Sequence, residues 1–130
     1  MFPLLALAAG LLGGADPCDD PQTPQVMERC VLADLARADS LLATSEAALG
    51  ARLTTAAART HWSAARRDWR AYREHECRVQ ASAQADAAMG AVSYAACKLA
   101  LAESRREFLE INLPSQGDAQ GDAQGSSQDQ

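Results

Sequence analysis

The sequence predicts an all-α fold, a small antiparallel bundle of three main helices stapled by two disulfides. Apolar residues recur three and four apart through most of the chain, the spacing of one helix face. No segment alternates as a half-buried strand does, and valine and isoleucine are scarce. Four cysteines, Cys18, Cys30, Cys77 and Cys97, stand in a chain of 130 residues. An even count in a small exported chain reads as a disulfide frame.

The first helix is announced by Thr23 as N-cap and Pro24 at the first helical position, where a missing N–H costs nothing. Its apolar stripe is Met27, Cys30, Val31, Ala38, Leu41, Leu42 and Leu49, and Gly50 is the expected stop. The second helix starts near Thr54 or Thr55 and runs to about residue 80. Its stripe is Ala58, Trp62, Ala65, Trp69, Tyr72 and Glu76/Cys77. The third runs from about residue 87 to 112. Met89, Val92, Ala96, Leu99, Ala102, Leu109 and Leu113 form one face, with Tyr94, Leu101 and Phe108 beside it. Pro114 ends the structured part. The inner faces are rich in alanine, so helices approach closely while each contact buries little. Disulfides therefore matter to such a core.

Both ends lie outside this pattern. Residues 1–15 carry no charge, are too short to span a bilayer and match the apolar part of a signal peptide, with Gly13 and Ala15 placed for cleavage. Residues 114–130 repeat Gly, Asp, Ala and Gln without a large apolar side chain, the composition of a disordered acidic tail. The folded domain is then 16–113. The net charge is −5, and three of the acids, Asp118, Asp122 and Asp129, belong to the tail, which leaves the domain near −2. That balance argues against a nucleic-acid partner.

Chemistry-bearing constellations are sparse. His61 and His75 lie fourteen residues apart on one helix, roughly 21 Å along its axis, too far to share a metal or a proton. Neither a nucleophile elbow nor a glycine-rich phosphate loop is present. The closest cysteine pair is twelve residues apart, unlike zinc-ligand spacing. The chain is expected to be no enzyme, to hold no metal and to need no cofactor. Trp62 and Trp69, one heptad apart, read as core. The run from Arg66 to Glu76 reads as a solvated face with helical pairs such as Arg70 with Glu74. Arg73, beside the Trp69 and Tyr72 stripe, is expected to be half-buried, where an arginine anchors loop carbonyls or an acidic partner.

The ordered stretches CDDPQTPQVMERC, WRAYREHEC and CKLALAESRREFL resemble the LprI-type lysozyme-inhibitor family of exported bacterial proteins. The matching positions are Cys18, Cys30, Trp69, Tyr72, Arg73, Cys77, Cys97, Arg105 and Leu109, across roughly residues 18–110. The segment ASAQADAAMGAVSYAA departs from the glycine- and serine-rich stretch common in the family. The resemblance implies an exported protein, periplasmic or extracellular, that binds a protein partner such as lysozyme and occludes its cleft. The alternative is an envelope scaffold or accessory interaction module.

Of the three possible disulfide pairings, Cys18 with Cys30 and Cys77 with Cys97 is expected. The others require the start of the chain to reach the far helices. The contact with a partner is expected between Arg73 and Tyr94, where a disulfide would restrain the loop. Arg73, Glu74 and Arg78 are the candidate charged contacts, and Met89 or Tyr94 the candidate apolar anchor.

Overall fold

A computed structural model describes residues 14–112. It contains α1 (Pro24–Arg52), α2 (Ala56–Ser82) and α3 (Ala87–Asn112), with no strand among the described residues. Most of the expected signal peptide, Leu113 and the expected tail lie outside them.

Each helix start has a local cause. The Thr23 hydroxyl accepts from the Val26 N–H at 3.3 Å, with Thr23 extended and Pro24 opening the helix. Thr55, rather than Thr54, caps α2 by accepting from the Ala58 N–H at 3.1 Å. One carboxylate oxygen of Asp86 accepts from the N–H groups of Ala88 and Met89, which fixes the start of α3.

The helix α1 does not stop at Gly50 as expected but continues to Arg52. Gly50 has no positive φ, so its freedom to turn left-handed is not used. What it supplies is space: a Cβ there would lie 3.2 Å from the Trp62 indole nitrogen. The turn is closed instead by Arg59, which donates to the Leu53 and Thr54 carbonyls at 3.0 Å each.

Consecutive helices are antiparallel, so α1 and α3 run in the same direction. Asp39 and Glu46 of α1 meet Arg73 and Arg66 of α2 in reversed order, while Ser45 reaches Glu110 near the far end of α3. The third helix packs along both others, most extensively along α1. Its core contains Ala38, Leu42, Ala102 and Leu109, with Leu49, Trp62, Trp69 and Leu99 packed against them. Small residues at Ala38 and Ala102 admit the close approach. Gly90 does the same between α2 and α3, where an added Cβ would sit 3.2 Å from the Ala81 carbonyl oxygen.

The predicted stripes hold Ala38 and Leu42 of α1 and Ala102 and Leu109 of α3, all buried, but the α2 stripe takes Tyr72 where Arg73 is the buried residue. Leu42, Arg73 and Leu109 are buried, while Leu41, Tyr72 and Phe108 beside them are exposed. Adjacent helical residues point about 100° apart, so choosing the wrong neighbour turns a core position outward. Ala65 and Ala96 are likewise exposed.

The disulfides are Cys18–Cys30 and Cys77–Cys97, with Cα separations of 5.7 and 5.4 Å. The first ties the lead-in to α1. The second joins α2 to α3, and Cys77 is wholly buried.

Candidate functional site

Two neighbouring features occupy the sides of α2. The first is a charged cluster at the disulfide-linked end. The Tyr94 hydroxyl donates to one oxygen of the Glu74 carboxylate at 2.5 Å. The other oxygen accepts from Arg78, at 2.7 Å from Nε and 2.6 Å from a terminal nitrogen. The Arg78 guanidinium and the Lys98 ammonium also lie 5.7 and 5.2 Å from the centre of the Tyr94 ring.

These contacts set the titration of the pair. The Tyr94 hydrogen bond foremost holds Glu74 below the ordinary carboxylate range, against the opposing effect of burial, with Arg78 and Lys98 adding to the lowering. The same bond, with burial and the Glu74 charge, pushes the Tyr94 phenol above its usual value. Beside the cluster is a shallow hollow of about 430 Å³, lined in part by Arg78, Gly90, Ala91 and Tyr94. Met89 is half-buried in the first turn of α3 and does not line it.

The second feature is a groove of about 390 Å³ between α1 and α2, with Leu42 and Trp69 among its apolar walls. Asp39, Glu46, Arg70, Arg73, Glu74 and Lys98 line it. Glu46 is only 2% exposed; one of its oxygens meets Arg66 at 3.0 Å and Arg70 at 3.4 Å, and the other has no hydrogen-bond partner. Arg73, only 7% exposed, is buried more deeply than its sequence position suggested. Its Nη2 lies 2.8 Å from Asp39 in an ion pair that is not aligned as a hydrogen bond, and its Nε has no hydrogen-bond partner.

An alternation of cations and indoles supports the groove from behind. Arg66 lies 5.9 Å from the Trp62 ring, Arg105 lies 5.6 Å from Trp62 and 5.7 Å from Trp69, and Arg73 lies 5.3 Å from Trp69. The tryptophans thus pack on the core while receiving charge at their faces.

Of the residues singled out in the sequence, Glu74, Arg78 and Tyr94 come together. Arg73 faces the groove, Leu109 is core, and Tyr72 points outward. The expected pair of Arg70 with Glu74 is replaced by Arg70 with Glu46. Sequence reasoning missed Asp39, Glu46 and Lys98. A signal for Glu46 existed, because it falls on the three-four spacing Ala38, Leu42, Glu46, Leu49, an acid on an apolar stripe. His61 and His75 are exposed, and no group of potential metal ligands assembles among the described residues. No described helix is long and apolar enough to cross a membrane.

The fold and its two bridges define a small disulfide-stapled helical domain. The family model described as lysozyme inhibitor LprI matches residues 18–109, and the chain belongs to that family. It is a family of inhibitors, which implies a protein partner such as lysozyme. Comparison with curated proteins and with solved structures finds no match.

Proposed function

We propose that this protein is an exported lysozyme inhibitor that acts by occluding the enzyme's cleft. Membership of the inhibitor family supports the partner, and two disulfides in a domain of this size support export. The observation that carries the binding mode is the Arg78–Glu74–Tyr94 cluster beside the Cys77–Cys97 bridge. A cleft is concave, so the group that enters it must protrude. The Arg78 side chain is 69% exposed, yet it is held in place by a carboxylate and an aromatic ring. Such restraint lowers the ordering cost of association. Arg73 lies recessed between helices and is a poor match to a concave surface. Within the enzyme, Arg78 would meet the acidic pair that such hydrolases use, and the net charge of −5 aids encounter with a basic enzyme.

The test is titration of the purified, oxidised protein into a lysozyme activity assay, alongside Arg78→Glu. The expected result is inhibition by the parent and at least a tenfold weaker effect from the variant at unchanged melting temperature. Equal inhibition by a folded variant overturns this surface, and no inhibition by the parent overturns the function.

A second reading, an envelope interaction module, is favoured by the exposed apolar residues Tyr72, Val79, Phe108 and Ile111. A parent protein that inhibits nothing but forms a complex lost in Tyr72→Ser/Val79→Ser would support it.

A further inference from the structure

The geometry points to a binding site for a small organic carboxylate in the groove between α1 and α2, with Arg73 as its anchor. This site adjoins the proposed inhibitory surface, with Glu74 and Lys98 on its wall, but its anchor Arg73 is not part of that surface and the inference does not depend on it. The inference begins with unused bonding capacity. A guanidinium presents five N–H donors, and burying them unpaired is unfavourable. In Arg73 the Nε lacks any hydrogen-bond partner and Nη2 has only its misaligned ion pair with Asp39, although the residue is 7% exposed and borders a cavity of about 390 Å³. That volume accommodates a molecule of several carbon atoms.

The surrounding charges select the sign of the ligand. Glu46 already faces Arg66 and Arg70, and Glu74 already accepts from Arg78 and Tyr94. Lys98 is not in ion-pair contact with any acid among the described residues, and its ammonium lies over the Tyr94 ring. The cations with capacity to spare are therefore Arg73 and Lys98, both on the groove wall. The unpartnered oxygen of Glu46 adds an acceptor, suited to a hydroxyl or a protonated group on the far side of the ligand.

Asp39 marks where the carboxylate goes. Its oxygen lies 2.8 Å from Arg73 without alignment, so it occupies the position of an anion without satisfying the guanidinium. The Asp39 side chain is 44% exposed, with the oxygen that faces Arg73 buried, whereas Arg73 is held over Trp69. A ligand carboxylate approaching in the guanidinium plane makes the two parallel bonds that Asp39 does not. Asp39 is then a competitor tethered to the site.

This gives a signature of opposite signs. Succinate, with acetate as the smaller probe, is titrated into the parent protein, Asp39→Asn and Arg73→Lys, followed by the Trp69 indole and Arg73 Nε–H resonances. The expected result is saturable succinate binding to the parent, about fivefold tighter in Asp39→Asn because an exposed competing charge is removed. Arg73→Lys loses the parallel bonds and binds at least tenfold more weakly. Asp39→Asn leaves the core intact, so the proposal remains testable even where Arg73→Lys does not fold. Absence of saturable binding by folded Asp39→Asn, or equal affinity in parent and Asp39→Asn, overturns the assignment. Lysozyme inhibition is expected to be the same in Asp39→Asn as in the parent, which separates this result from the inhibitory reading.

Discussion

Tyr94 and Glu74 share a hydrogen bond of 2.5 Å between α3 and α2, and it stabilises the charged form of one and the neutral form of the other. Glu74 is depressed in the folded state. Its contribution to stability is therefore present above the ordinary carboxylate value and is lost as pH falls through the lower folded value. Tyr94 is raised, so its contribution is present below the ordinary phenol value and is lost as pH rises through the higher folded value. In Tyr94→Phe the Glu74 carboxyl is expected to titrate at higher pH than in the parent. Carboxyl-detected NMR titration checks this, and an unchanged Glu74 midpoint contradicts it.

The Glu46 seam predicts an asymmetry between partners. Glu46 is buried, whereas the Arg66 and Arg70 side chains are 38% and 61% exposed and return readily to water. Glu46→Met is expected to change stability by no more than about 1 kcal/mol. Arg66→Met/Arg70→Met strands a buried carboxylate and is expected to cost about 3 kcal/mol. Urea unfolding of both variants measures the difference, and equal costs would argue against it.

The two disulfides are expected to contribute unequally. Cys77–Cys97 crosses between packed helices, and its removal as Cys77→Ala/Cys97→Ala should cost about 3 kcal/mol in the chain-entropy model. For a domain this small, that corresponds to a melting temperature lower by on the order of 10 °C or more. Cys18–Cys30 holds an exposed lead-in, which regains freedom in the folded protein too when the bridge is absent. Cys18→Ala/Cys30→Ala should therefore lower the melting temperature far less. Thermal scans of both variants decide the order.

The phase of α3 can be tested directly. Leu109→Ala empties a buried position and is expected to cost about 3 kcal/mol. Phe108→Ser removes a side chain that is 57% exposed and should stay within about 0.5 kcal/mol. A larger loss from Phe108→Ser than from Leu109→Ala would place the other face inward.

Fold class, element order and both disulfide pairings were legible in the sequence, because caps, periodicity and cysteine order are local or nearly local signals. Thr23, Pro24 and Thr55 act where their chemistry suggested. The rotational phase was legible in α1 and α3, where Ala38, Leu42, Ala102 and Leu109 are buried as their spacing suggested, but not in α2. Tyr72 is the more apolar neighbour of Arg73, but the centre of contact on α2 lies among Trp62, Trp69 and Cys77, and Arg73 falls closer to that arc. The groove was hidden for a related reason. Its acids Asp39 and Glu46 come from α1, Arg70, Arg73 and Glu74 from α2 and Lys98 from α3, and spacing within one helix reports nothing of the facing helix. Glu46 on an apolar stripe was the one visible clue.

Because α1 and α3 run in the same direction, both disulfides fall in the same half of the molecule, around the start of α1, the end of α2 and the first half of α3. The opposite half, with the turn after Arg52 and the end of α3, has no covalent tie among the described residues. The bundle is thus graded along its long axis, clamped at one pole and held by packing alone at the other. Amide protection should fall along that axis, and heating should splay the open pole while the clamped one keeps its shape. Reduction of the disulfides would erase that polarity.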